Sequence, residues 1–421
     1  MSRLLPPKVA CCLLILMLAS ALASSPAMAQ EGLLPSRDDV AGSRSQPEFT
    51  PIDLQFGPLV AVPGVRVEEG YDSNIFGLAD NAQGARYTTI APSLGLRTDW
   101  GPHGIDLSGS ATLSRYANYA SQNTDEYAFH AGGHLDLDSW TANAAIGFDR
   151  TAERRHENGI PLTFGPPSLI NSAIQSIEIK RSAGGITVTA HGGAEQLSYS
   201  DLERTDGTIQ SQAFRDLHVW NLELAATASA TNTAAVGAGA SYTRSLSTVR
   251  AGQGSTAIKL RANGAIDLGM SRFEIEAGYL SHQFDNPLYK DFQGLVFKGQ
   301  ATWYPTPLVT LMASAERSLE PSGDPAAGAT VVTSWRLKSN YELLRNLMLN
   351  AEYSQREQRF REVSTSTHSR VFAVTGEYSF NHSVAFDAYA RHECRSASGT
   401  ETVVGRRWCA VTVGIALNLR R

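Results

Sequence analysis

The chain has 421 residues, with 36 Lys+Arg against 41 Asp+Glu and 42% hydrophobic residues. This mild acidity, without a basic cluster, excludes nucleic acid as a partner. After Ala29 no apolar run approaches the roughly 20 residues of a spanning helix, so a helical membrane protein is excluded; strands that cross a membrane are not, because their two faces average out in hydropathy.

Arg3 and Lys8 form a positive n-region, Val9 to Leu22 an apolar core, and Ala27-Met28-Ala29 a small-x-small cleavage site. Residues 1–29 therefore read as a cleaved export signal with the mature start at Gln30. The core of about 14 residues is too short for an anchor helix. Cys11 and Cys12 open that core rather than follow it, which argues against a lipoprotein. Without Arg3 and Lys8 the mature chain keeps 34 basic residues against 41 acidic, a net charge of −7. Residues 30–56 are rich in Ser, Pro, Asp and Arg and lack periodicity. They read as a flexible periplasmic lead-in, with docking to a periplasmic partner as the functional alternative.

From there to the C-terminus, residues 57–421, alternating segments follow one another. They are Leu59–Asp72, Tyr87–Trp100, Ile105–Tyr116, Glu126–Leu137, Trp140–Thr151 and Ala173–Ser182. Next come Ile186–Tyr199, Phe214–Ala226, Ala234–Thr243, Ala257–Leu268, Phe273–Phe284 and Leu295–Tyr304. The last are Val309–Leu319, Val331–Leu343, Leu347–Arg356, Arg370–Phe380, Val384–Glu393 and Trp408–Leu419. Each reaches the about 9–11 residues that a tilted transmembrane strand needs. Short connections bearing turn residues, such as Asp138-Ser139, Ala183-Gly184-Gly185 and Arg345-Asn346, alternate with long polar ones. That beat is the signature of an up-and-down barrel with a quiet periplasmic side and an exposed outer side. The fold expected is all-β: a transmembrane antiparallel up-and-down β-barrel of about 18 strands, with about 16 as the alternative.

The faces agree. In the last segment Val411, Val413, Ile415, Leu417 and Leu419 share one side, while Ala410, Thr412, Gly414, Ala416 and Asn418 share the other. A basic residue facing lipid at mid-depth costs roughly 2–4 kcal/mol, so the interleaved charges must face the lumen. Phe214–Ala226 mixes apolar residues on both faces, which predicts a bulge or a shifted register there. Trp100, Trp140, Trp303 and Tyr304 abut short turns, and Tyr71, Tyr116, Tyr119, Tyr127 and Trp408 abut long loops, as interfacial aromatic girdles do.

Phe56-Gly57-Pro58-Leu59, the stretch Val65 to Phe76 with its Tyr71-Asp72-Ser73-Asn74-Ile75 corner, and Ala91 to Gly101 resemble the opening strands of the putative β-barrel porin 2 family. Ile75 stands where the family has an aromatic residue, and Phe76 follows it. The resemblance runs from about Pro47 to the C-terminus. It implies an outer-membrane barrel in a Gram-negative envelope and points toward polysaccharide export. Thr412, Gly414, Leu417 and Leu419 resemble the signal read by the barrel-assembly machinery, although Arg420-Arg421 replaces the usual terminal aromatic. Outer-membrane lipid, lipopolysaccharide and periplasmic polysaccharide-export components are the further partners implied.

Two cysteines remain in the mature chain. Cys394 and Cys409 flank the last long loop, where antiparallel neighbours in an oxidising compartment can form a disulfide. His130 and His134 share a strand face about 13 Å apart, too far for one metal ion. No catalytic grouping and no cofactor or metal motif is read. The candidate pore-lining residues are Lys259, Arg261, Asp267, Glu274, Glu276, Lys298, Glu316, Arg336, Lys338, Glu342, Glu352, Arg356, Glu377, Asp387 and Arg391. They suit a hydrated channel whose opposed charges orient a polar solute, or a salt-bridge network bracing a closed barrel. The apolar run Gly159–Pro167, in the long 152–172 loop, reads as a constriction, a lid or a partner contact. The function expected is a channel for hydrophilic solutes, with export of exopolysaccharide as its sharper form. A general diffusion porin, or a plugged structural or adhesive barrel with functional outer loops, are the alternatives.

Overall fold

The computed structural model describes residues 33–34, 40–44, 46–98, 100–153, 165–203, 207–399 and 407–420. The signal segment, residues 1–29, lies outside them.

Eighteen long strands form one antiparallel sheet: β1 (Leu59–Asp72), β2 (Ala85–Thr98), β3 (His103–Tyr116), β4 (Thr124–Leu137), β5 (Trp140–Ala152) and β6 (Leu169–Ala183). The order continues with β7 (Ile186–Tyr199), β8 (Leu217–Thr231), β9 (Ala234–Ser247), β10 (Ser255–Asp267), β11 (Ser271–Phe284) and β12 (Phe292–Thr306). It ends with β13 (Val309–Pro321), β14 (Ala329–Leu344), β15 (Leu347–Phe360), β16 (Ser366–Ser379), β17 (Val384–Ser398) and β18 (Arg407–Arg420). Each strand pairs with its sequence neighbour, and β1 pairs with β18 from Gly64↔Arg420 to Asp72↔Thr412, which closes the sheet into a barrel. A three-residue strand, Leu54–Phe56, folds back on Leu59–Ala61.

Each of the eighteen alternating segments of the sequence overlaps one of these strands, with bounds that differ by a few residues at the ends. The strands are longer than the apolar signal, 13–16 residues each, because the ladder continues past the lipid-facing band into polar ends. The tight turns need unusual backbone: Gly184 (φ 58°) and Gly185 (φ 78°) make the two-residue β6–β7 connection, where both central positions require positive φ.

Outward positions carry the exposed apolar side chains, among them Leu260 (59% exposed), Ile275 (63%) and Leu295 (68%). Lipid takes the place that a core holds in a soluble protein, so apolar burial within the chain is sparse and local. In β8 the sequence suggests a bulge within Phe214–Ala226, but the strand begins at Leu217 and its register with β7 and β9 is unbroken there. The only shift lies between Ser229 and Thr231. Trp220, Leu222 and Leu224 face lipid, while Leu217 turns inward and is buried at the long-loop end. Two expected girdle aromatics also turn inward. Trp408, 8% exposed, shares its parity with Thr412, and the Tyr116 ring packs 5.4 Å from that of Tyr87.

Placing a charge on the outward face tests the orientation of the wall. Leu260→Arg should destabilise the barrel by about 2–4 kcal/mol, and Asn263→Arg, on the inner parity of the same strand, by less than about 1 kcal/mol. Denaturant titration in lipid vesicles measures both, and equal losses would refute the assignment of faces.

Candidate functional site

The pleat alone decides which side chains line the lumen, since every second residue points inward. All fifteen charges singled out from the sequence fall on the inner parity. Their partners are neighbours along the wall. Lys259 Nζ reaches Glu276 at 2.5 Å, and Arg261 bridges Glu276 (3.4 Å) and Glu223, crossing β9 where Gly239 leaves room. Glu274 pairs with Arg272 at 2.6 Å, Glu352 with Arg336 at 3.3 Å, and Arg391 with Glu393 at 2.7 Å. Arg356 reaches over β14 to Glu320 at 2.5 Å, and Arg420 approaches Glu377 at 3.7 Å. Asp267 caps the β10–β11 turn by accepting from the Gly269 amide at 2.7 Å. Glu342 pairs with Arg44, a residue of the lead-in. Among the described residues Lys298, Glu316 and Lys338 form no ion pair.

Sequence reading missed a second inner network at the closing seam. Arg66 donates to Glu68 Oε2 at 3.2 and 3.1 Å, to Asn418 Oδ1 at 3.0 Å and to Asp387. Asn418 donates to Asp387 Oδ2 at 2.9 Å. The Tyr389 hydroxyl donates to Glu68, which is 2% exposed, and the Tyr87 and Tyr389 hydroxyls lie 3.1 Å apart. Arg66 and Glu68 lie on one parity of β1 with Gly64 and Gly70, a visible signal that the apolar residues of the other face overshadow.

His130 and His134 face the lumen and turn to different strands, toward Asp149 on β5 (3.2 Å) and Asp106 on β3 (3.9 Å). Cys394 and Cys409 stand opposite one another in the β17–β18 register and are joined by a disulfide. His392 Nε2 lies 3.5 Å from Cys394 Sγ; together with Cys409 this is a trio of metal-type donors, but the disulfide occupies both sulfurs. Thr412 and Gly414 face inward on β18, and Leu417 and Leu419 outward.

The long loops are tied to one another at the outer rim. Arg215, before β8, makes two hydrogen bonds to Glu153, after β5, at 2.8 and 2.5 Å, with its guanidinium 3.9 Å above the Tyr199 ring. Burial alone would lower the Arg215 pKa, but the Glu153 carboxylate more than reverses this and holds it above its ordinary value. Gln253 donates to the Ser322 carbonyl at 2.7 Å, and Glu362 accepts from the Lys290 and Gly328 amides at 2.8 and 3.1 Å. Most of the apolar loop run, residues 159–164, lies outside the described residues; Gly165, within the run, accepts from Gln122 Nε2 at 3.1 Å through its carbonyl.

A closed barrel with lipid outside and charge inside defines an outer-membrane protein of the porin class. Residues 46–420 match the family described as "Putative beta-barrel porin 2", and the chain belongs to it. No curated protein matches the sequence. Among solved structures it is similar to the outer membrane protein OpdK of Pseudomonas aeruginosa, at 9% identity and TM-score 0.48 over 86% of this chain and 99% of that one. It is also similar to OccK2 (OpdF) of Pseudomonas aeruginosa in complex with glucuronate, at 10% and 0.49 over 86% and 98%. OpdQ of Pseudomonas aeruginosa matches at 10% and 0.48 over 89% and 100%.

Two outcomes follow from this geometry. Alkylation of the denatured, unreduced protein should leave Cys394 and Cys409 unmodified, with two adducts appearing in the mass spectrum only after reduction. Arg215→Ala should strand a buried Glu153 carboxylate, a loss of about 3–5 kcal/mol that is felt locally. Limited proteolysis should then cut the β5–β6 and β7–β8 loops faster, with the barrel itself still resistant.

Proposed function

We propose that the barrel is a channel that passes small hydrophilic solutes across the outer membrane. One observation carries the proposal: apart from Glu342, which pairs with Arg44 of the lead-in, the ion pairs of the lining named above run sideways along the wall, between strands no more than two apart, rather than across the lumen. A bracing plug needs charges that meet across the interior. Lateral pairs instead make a polar lining around a space that an eighteen-stranded barrel is wide enough to leave open. Lys298, Glu316 and Lys338, without partners on the wall among the described residues, remain to meet a charged or polar solute. Opposed charges along a pore orient such a solute as it passes. The polysaccharide-export form of the function draws its support from the family resemblance alone.

In planar bilayers the purified protein should give stepwise, ohmic current. Lys298→Glu combined with Lys338→Glu should move the zero-current potential in a salt gradient toward that of a cation-selective pore. Protein that inserts in folded form yet gives no current above baseline would refute the channel and leave the plugged structural barrel.

A further inference from the structure

The lead-in before β1 has partners that its composition does not announce. Leu34, 6% exposed, packs on Ala235 of β9 and Ala265 of β10, and its carbonyl accepts from Arg272 Nη2 of β11 at 2.8 Å. The Ala41 carbonyl accepts from Thr310 Oγ1 of β13 at 3.0 Å. Gly42 (φ 93°) lies so close to β14 that a Cβ there would come within 2.8 Å of Asn340 Nδ2. Arg44 pairs with Glu342, also on β14. Glu48 lies 3.4 Å from Arg345 in the β14–β15 turn, and the Thr50 carbonyl 2.8 Å from His382 Nδ1 in the β16–β17 turn. Asp53 pairs with Arg97 of β2 just before Leu54–Phe56 joins β1.

Three features of these contacts matter. The wall residues touched on β9 to β14 (Ala235, Ala265, Arg272, Thr310, Asn340, Glu342) are all on the inner parity. All lie within four residues of the short-turn end of their strands, the periplasmic end. Their order around the barrel is the order of the lead-in residues that touch them, from β9 onward to β1.

We infer that the described parts of the lead-in, residues 33–34, 40–44 and 46–56, form an inner collar that narrows the periplasmic mouth along the β9-to-β1 arc. The inference rests on the channel reading above. The collar covers Glu342, leaving it 2% exposed, so the mouth is relieved of a carboxylate that would otherwise face passing solute. Among the described residues the lead-in reaches the opposite arc only at its β1–β2 edge, where Asp53 meets Arg97. The inner wall of that arc from β1 to β6 is floored by Gly95, Ser108, Gly132, Ala145 and Gly147 and bounds a cavity of about 390 Å³. Solute entering or leaving at the periplasmic end is thereby displaced toward that wall.

The test uses the full chain and changes no charge. Leu34→Asn with Gly42→Val removes the apolar anchor and places a β-branched side chain where backbone and space both forbid it. Heat-dependent migration on gels confirms that the barrel has folded. Single-channel conductance should rise about twofold or more, because the narrowest section limits ion flow. Current appearing only in the variant would mean that the lead-in closes the mouth rather than narrows it, which overturns the collar together with the channel reading. Equal, non-zero conductance in parent and variant overturns the collar and leaves the channel standing, whereas no current in either overturns both. Should the double variant fail to assemble, removal of residues 33–50 gives the same comparison, with Leu54–Phe56 kept to pair with β1.

Discussion

Everything in this molecule follows from the need to pair every backbone amide and carbonyl inside a hydrocarbon layer that offers no water to satisfy them. An open sheet leaves two unpaired edges, so the chain must bring its first and last strands together. The β1–β18 pairing does this over nine residue pairs, Gly64↔Arg420 to Asp72↔Thr412. These strands are separated by the whole length of the barrel in sequence, and nothing local fixes their register. The inner network at the seam supplies what is missing. Arg66 and Glu68 from β1 interlock with Tyr389 and Asp387 from β17 and Asn418 from β18, and a one-residue slip of β1 would turn Arg66 and Glu68 away from these partners and into lipid.

The same constraint explains the composition of the seam. Gly70 and Gly414 stand opposite one another in the ladder. A Cβ on Gly70 would lie 2.4 Å from the Tyr87 ring, and one on Gly414 would lie 2.7 Å from the Tyr389 hydroxyl. The two rings lie over the two glycines, covering bare backbone with an aromatic face, a device that stiffens β-sheet at glycine. Gly414 thus has a packing role, independent of any part it plays in the assembly signal.

Much of this was legible in the sequence, and the boundary of what was legible has a physical cause. Strand number and position follow from period-2 alternation, because lipid demands apolar residues on one face whatever lies on the other. The lumen charges from β10 onward were legible for the same reason. β8 misled because its inner residues Leu217 and Val219 are apolar at the long-loop end; there alternation in hydropathy lapses while alternation in direction does not. Trp408 and Tyr116 misled because position along a strand says how deep a residue sits, but only parity says which way it faces. Asp387 was legible as a lumen charge, but its link to Arg66 and Glu68 was not, because the three are related only through closure, which no local pattern encodes.

The lead-in shows the limit most clearly. Composition rich in Ser, Pro, Asp and Arg lacks the apolar area to fold alone, and that inference is sound for a free segment. It fails once a preformed wall offers partners, because the wall then supplies the order. Here the wall does so mainly through polar groups at fixed heights: a guanidinium for one carbonyl, a hydroxyl for another, a carboxylate for Arg44. Backbone carbonyls as acceptors leave no trace in side-chain sequence. What remains visible is a single glycine, Gly42, at the closest approach, and one buried leucine, Leu34, against two alanines. Ala235 and Ala265 are the complementary trace: larger side chains at these two inner positions would occupy the space that Leu34 fills.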